Sequence, residues 1–197
     1  KEETDGDFIL RDMPEALRDA IVGAERIRDI VRSLREFTGE EQEEMRPVDL
    51  NAGLENTIKM CWGELKRKVE VHRDFGEIPL IRCHGQAMNQ VFLNLLLNAS
   101  EAVVGTGNVF VSTRESGGQV LIRIRDTGCG IPASDLKKLF EPFFTTQPGR
   151  KATGMGLYVA YRIVEGHGGT IGVTSEPGVG TEFTISLPLT PSGGGQA

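Results

Sequence analysis

Seven apolar positions near the start of the chain, Met13, Leu17, Ala20, Ala24, Ile27, Val31 and Leu34, recur at intervals that alternate between four and three. That is a heptad seam, and it predicts one long helix whose stripe is widened by Ile21, Ile30 and Phe37. Such a helix cannot bury its seam alone. The expected use is as one helix of a dimeric four-helix bundle, with a helix folded back on its own domain as the alternative. Ala20 and Ala24 would let a neighbouring helix come close. The polar, acidic run from Thr38 to Pro47 ends in proline and reads as a linker.

Beyond the linker the period changes. Val48–Leu50 is a short strand candidate, and Asn51 is the expected cap of a helix running to about Lys68. Val69–Phe75 and Leu80–Cys83 read as short strands, and Gln86 to Val104 as a strongly apolar helix. Asn108–Arg114 and Val120–Arg125 alternate apolar and polar residues, and Ser116-Gly117-Gly118 joins them as a hairpin. A glycine-rich region with a short helix at Ser134–Leu139 follows, then a helix from Met155 to Glu165. Thr170–Thr174 and Glu182–Leu187 form a last hairpin around Pro177-Gly178-Val179-Gly180. Grouped helices and mostly antiparallel strands predict an α+β fold, a two-layer sandwich. The expected units are residues 1–46, residues 47–189 and a Gly-rich, disordered tail at 190–197.

Composition narrows the classes. The chain has 197 residues, 39% hydrophobic and 25% charged, as in ordinary globular proteins. No apolar run approaches the roughly 18 residues that span a bilayer. Residues 1–46 hold eight basic and fourteen acidic side chains, and the whole chain is also −6, so the remainder is neutral. The absence of a basic stripe argues against a nucleic-acid surface. Cys61, Cys83 and Cys129 show neither disulfide nor metal spacing, which suits free thiols in a reducing, cytoplasmic setting.

Five short elements carry chemistry. Asn94 and Asn98 lie four apart in the apolar helix, so they share a face, with Glu101 and Ala102 one turn on. Buried amides are costly without partners, and oxygen donors for Mg²⁺ beside a polyphosphate account for that cost. Asp126 ends an apolar strand and enters Asp126-Thr127-Gly128-Cys129-Gly130-Ile131. Its carboxylate suits an adenine amino group, and Gly128 and Gly130 allow close ligand approach. Cys129, with no base in evidence, reads as a tolerated side chain rather than a nucleophile. Phe140-Glu141-Pro142-Phe143-Phe144 leads into a polar stretch, and Phe143 and Phe144 are either core aromatics or a hydrophobic hinge under a mobile lid. That lid, Thr145 to Lys151, brings Arg150 and Lys151 to phosphates on closing. Gly154-Met155-Gly156-Leu157 opens a helix whose N-terminus is an anion site. Thr181 follows Gly180, and its hydroxyl is expected to share a water or a hydrogen bond with Asp126, or to be a plain strand residue.

Together these residues, over roughly 47–189, resemble the catalytic ATP-binding domain of sensor histidine kinases, within the Bergerat or GHKL ATPases. The likeness rests on an Asn box (Gln90 to Ala102), two glycine boxes (Asp126–Gly130 and Gly154–Gly156), a Phe box (Phe140–Phe144) and Gly180-Thr181. Residues 8–45, especially Gly23 to Val31, resemble the second helix of the kinase dimerisation hairpin, and the sub-type looks similar to nitrogen-regulatory kinases. The resemblance implies a mixed five-stranded sheet backed by three helices. It implies that Asn98 ligands Mg²⁺ with Asn94 in support, and that Asp126 binds the adenine amino group with Thr181 assisting. Ala102, Ile131 and Leu157 would line the base. The backbone of Gly154 to Leu157, including Met155 and Gly156, would hold the triphosphate with Arg150 and Lys151, Lys151 serving catalysis. Glu101, Gly128, Gly130, Phe144, Thr146 and Thr153 complete the implied ATP site.

The resemblance also implies partners: ATP, the dimerisation domain with its acceptor histidine, and a response-regulator receiver domain, in a homodimeric parent. One departure stands out. Family members carry an H-E-x-x-[NT]-P type acceptor motif, and none of His72, His84 and His167 sits in one. The expectation is a chain that begins inside the hairpin and lacks the acceptor helix. Rival readings are an ATP-hydrolysing switch, a serine kinase of the same fold, and a nucleotide-binding module that only relays conformation. The first needs a Glu base where Asn94 stands, which an amide cannot replace.

Overall fold

The computed structural model describes Met13 and residues 44–145 and 154–189. The predicted heptad helix apart from Met13, the expected lid residues Thr146, Arg150, Lys151 and Thr153, and the tail lie outside the described residues.

Two antiparallel strands, β1 (Arg46–Val48) and β3 (Ile81–Cys83), form a small sheet at the entrance to the domain. Between them α1 (Leu50–Leu65) and β2 (Val69–Phe75) follow one another. Asp49, not Asn51, caps α1: its Oδ1 accepts from the Ala52 N–H at 3.0 Å. The Asn51 amide serves the sheet instead. It donates to Gly76 O at 2.9 Å and accepts from the Thr113 hydroxyl at 2.7 Å.

The main sheet has the order β2-β4-β5-β7-β6, with β4 (Gly107–Ser116), β5 (Gln119–Asp126), β6 (Thr170–Glu176) and β7 (Gly180–Pro188). Only β2 and β4 run parallel, and α2 (Gly85–Ala102) lies in the crossover between them, so the sheet is mixed. Strand alternation sends Val109 and Val111, then Val120, Ile122 and Ile124, then Phe183, Ile185 and Leu187 to one face, and all are buried. Helices cover that face. Leu54 and Ile58 of α1, Phe92, Leu95 and Leu96 of α2, and Ala160 and Val164 of α4 (Gly156–Gly166), which follows the short α3 (Ala133–Leu136), join the same core. Fully burying such side chains is worth about 1.5–3 kcal/mol each. The helix α2 packs against both α1 and α4, which makes it the central helix of the layer.

A histidine fastens the end of α4 to the start of α2. Nδ1 of His167 lies 2.6 Å from Ile163 O, and its Nε2 lies 3.1 Å from the His84 backbone N–H. Both contacts are satisfied only by the neutral tautomer with the proton on Nδ1. Burial, with the neighbouring His84, lowers the His167 pKa despite the helping carbonyl of Ile163. A depressed histidine pKa adds stability that is complete above the unfolded value, about 6.5, and is lost as pH falls through the folded value. The expected result is a melting temperature that drops from pH 7 towards pH 5, with a flatter slope in His167→Asn. Parallel slopes for both proteins would show that another group sets the dependence.

Candidate functional site

The site forms where β5 ends, α2 ends and α4 begins. Asp126 continues the inward parity of Val120, Ile122 and Ile124, so the strand itself turns its carboxylate towards the helix layer. Only 2% of the residue is exposed. Desolvation raises its pKa, and the Gly128 and Thr181 N–H groups and Arg125 act against that rise. Both of those N–H groups donate to one oxygen: Oδ1 accepts from Gly128 at 2.7 Å and from Thr181 at 3.2 Å. The other oxygen, Oδ2, has no hydrogen-bond partner among the described residues. The carboxylate is thus fixed in orientation with one acceptor in reserve.

Thr181 meets Asp126 differently from the sequence expectation. Its backbone N–H makes the bond, and its hydroxyl pairs with Ser175 Oγ at 2.8 Å. Ser175 had no part in the sequence reading. Its signal was parity: Ile171, Val173 and Ser175 are the half-buried positions of β6, between exposed Gly172, Thr174 and Glu176. A polar side chain on the inward face of an edge strand beside a glycine turn is a candidate for a local clamp.

The first glycine turn lies flush on its surroundings. The Cys129 N–H donates to Ala102 O at 2.9 Å, and the Gly178 N–H donates to Cys129 O at 2.8 Å. Gly130 has φ of 68°, and a Cβ there would collide with the Glu176 carbonyl. The turn is thus tied to the end of α2 at Ala102, and the Ile131 N–H that follows it donates to Ser175 Oγ at 2.8 Å. Cys129 is exposed.

The two asparagines are in different states. The Asn94 amide donates to Gly156 O at 3.0 Å and accepts from Gln90 Nε2 at 3.3 Å, which ties α2 to the first residue of α4. The half-buried Asn98, one turn on, makes no side-chain hydrogen bond among the described residues, so its oxygen is available to a ligand. Glu101 is exposed on the same side of α2. Met155 gives α4 no side-chain cap, and a helix N-terminus carries the positive end of the helix dipole. Leu157 packs half-buried against the core.

The core reading of Phe143 and Phe144 fails for Phe143, which points outward, and Phe140 is the aromatic of this stretch that joins the core. Phe140 packs on the core and on Tyr161, with ring centroids 5.6 Å apart. Phe143 is 59% exposed and has φ of 67°, a conformation that costs a non-glycine residue about 1–3 kcal/mol. Its N–H donates to Gly154 O at 3.0 Å, which joins the chain on either side of residues 146–153. Phe144 is half-buried beside it.

A buried acidic residue with one oxygen unpartnered among the described residues, a glycine turn and a helix N-terminus make a nucleotide site of a recognisable kind. Residues 83–191 match the family described as histidine kinase-, DNA gyrase B- and HSP90-like ATPase. The chain belongs to this family. Within it the likeness is to the sensor histidine kinases. The signal transduction histidine-protein kinase AtoS of Escherichia coli K12 is 36% identical over 85% of this chain and 28% of its own length. The sensor histidine kinase ZraS of the same organism is 36% identical over 84% of this chain and 36% of its own. The chain therefore spans about a third of the length of these curated relatives. Among solved structures, the catalytic domain of the histidine kinase ThkA aligns over 76% of this chain and 98% of its own length, at 26% identity and a TM-score of 0.68. ThkA has also been solved in complex with the response regulator protein TrrA. The described residues of this chain thus form an ATP-binding catalytic domain of the sensor histidine kinase type.

Proposed function

We propose that this histidine kinase domain places the γ-phosphoryl group of ATP in line with a histidine nitrogen on a dimerisation domain, from which a response-regulator aspartate takes it. The observation that carries the reading is the divided carboxylate of Asp126, with Oδ1 held by two backbone N–H groups and Oδ2 left open. An adenine amino group is the donor that such an acceptor suits. Ala102, Ile131 and Leu157 would flank the base, with Thr181 assisting. The N–H groups from Gly154 to Leu157 would take the phosphates, with Arg150, Lys151 and the lid residues Thr146 and Thr153 closing over them.

The terminal P–O bond of ATP breaks and a P–N bond forms, so ADP leaves and the acceptor's proton passes to a base on its own domain. This chain contributes positioning and charge neutralisation. The free amide oxygen of Asn98 fits Mg²⁺, which favours few protein oxygens plus substrate phosphates and water. Mg²⁺ held there would neutralise charge on the phosphates. An ATP-hydrolysing switch is disfavoured, because the Asn94 amide is spent as a donor to Gly156 O and has no basic function. Residues 1–46 would be part of the dimerisation helix with its linker, 47–189 the catalytic unit and 190–197 a tail, in the cytoplasmic part of a dimeric parent.

The test is to incubate the chain with Mg-ATP, alone and with a separately produced dimerisation hairpin of its parent. Acid-labile phosphate should appear on the hairpin's histidine and not on this chain. Label on this chain, or an unlabelled hairpin beside bound ATP, would overturn the proposal.

A further inference from the structure

The Ser175 hydroxyl stands at the junction of three chain segments. It accepts from the Ile131 N–H at 2.8 Å, lies 3.0 Å from Gly180 O and lies 2.8 Å from the Thr181 hydroxyl. A serine hydroxyl has one proton and two lone pairs. Gly180 O can only accept and the Ile131 N–H can only donate. The arrangement that satisfies every partner therefore sends the Ser175 proton to Gly180 O and makes Thr181 the donor to Ser175. All three capacities of the hydroxyl are then filled. The Thr181 proton is also committed, so this side chain has only lone pairs left to offer.

Each partner belongs to the adenine end of the site. Ile131 follows the first glycine turn directly, and the Thr181 N–H is one of the two that orient Asp126 Oδ1. Among the described residues, Ser175 is the only side chain of the β6–β7 hairpin that bonds to the segment 128–131. The remaining link there is the backbone bond from Gly178 to Cys129.

We propose that Ser175 is a positioning residue for the nucleotide base: its hydroxyl clamps Ile131 to Gly180-Thr181, holding the wall of the site against Asp126 and fixing Thr181 as an acceptor. The proposal rests on the reading of Asp126 as the adenine partner. It requires that loss of the hydroxyl weakens binding of the base and not of the phosphates.

The pair Ser175→Thr and Ser175→Val tests it, since the two are nearly isosteric, both suit a strand, and only one keeps the hydroxyl. ADP and inorganic tripolyphosphate, each with Mg²⁺, are titrated into the parent chain and both variants by calorimetry. Expected are parent-like ADP binding by S175T, ADP binding weaker by about tenfold in S175V, and tripolyphosphate binding equal in all three. Equal ADP affinity of the two variants would overturn the clamp, and so would an S175V loss shared by tripolyphosphate or an S175V chain that does not fold. A parent chain that binds tripolyphosphate but not ADP would instead defeat the adenine reading itself, and the clamp with it.

Discussion

Asp126→Asn is expected to lower adenine-nucleotide affinity by about a hundredfold or more while leaving the fold intact. The carboxylate uses Oδ1 for the Gly128 and Thr181 N–H groups, and its Oδ2 has no partner among the described residues. An asparagine would keep its oxygen on those two N–H groups, because turning it away would leave both unpaired. Its NH₂ group then faces the adenine amino group, donor against donor. A charge-assisted hydrogen bond is worth about 1.5–3 kcal/mol, and the unpaired donors add to that loss. Folding does not suffer, since desolvation already works against the charged form of Asp126. Calorimetry with ATP, with and without Mg²⁺, on both proteins decides it. Affinities within threefold of each other would remove Asp126 from the base.

The second large effect separates the two asparagines. Asn98→Ala is expected to cut Mg-ATP-dependent transfer to a supplied dimerisation hairpin at least a hundredfold, at unchanged or slightly raised melting temperature. The Asn98 amide has no partner to lose among the described residues, and alanine is the better helix former. Loss of a metal-held oxygen from the transfer site removes several kcal/mol of charge stabilisation. ATP affinity in the variant should also stop responding to Mg²⁺. Asn94→Ala behaves otherwise, because it strips a donor from Gly156 O and an acceptor from Gln90 and loosens α4 from α2. It should lower the melting temperature as well as the activity. Full transfer by Asn98→Ala at ordinary Mg²⁺ would refute the ligand role.

Much of this was readable from local pattern. The alternation of Val120, Ile122 and Ile124 already sends Asp126 inward, and the four-residue interval between Asn94 and Asn98 already puts them on one face. The hairpins around Gly117-Gly118 and Pro177-Gly178 announce themselves by their turn residues. Where the reading slipped, two neighbouring residues offered the same local chemistry. Asp49 and Asn51 are both good caps, and the choice fell to Asp49 because Thr113 and Gly76, far along the chain, take the Asn51 amide. Phe143 and Phe144 look alike in sequence, yet only Phe143 is turned outward by its positive φ.

The sequence by itself determined the period of the main elements among the described residues, the inward parity of Asp126 and the order of the glycine turns, because these follow from 3.6- and 2-residue repeats and from the backbone freedom of glycine. Only the tertiary structure decided how the polar atoms are shared out. It gave Oδ1 of Asp126 to two N–H groups, gave the Thr181 hydroxyl to Ser175, tied Asn94 to Gly156 while leaving Asn98 without a partner among the described residues, and locked the His167 tautomer between Ile163 and His84. Hydrogen bonds are short and directional, so their partners are fixed by which segments pack together, and no interval along the chain encodes that.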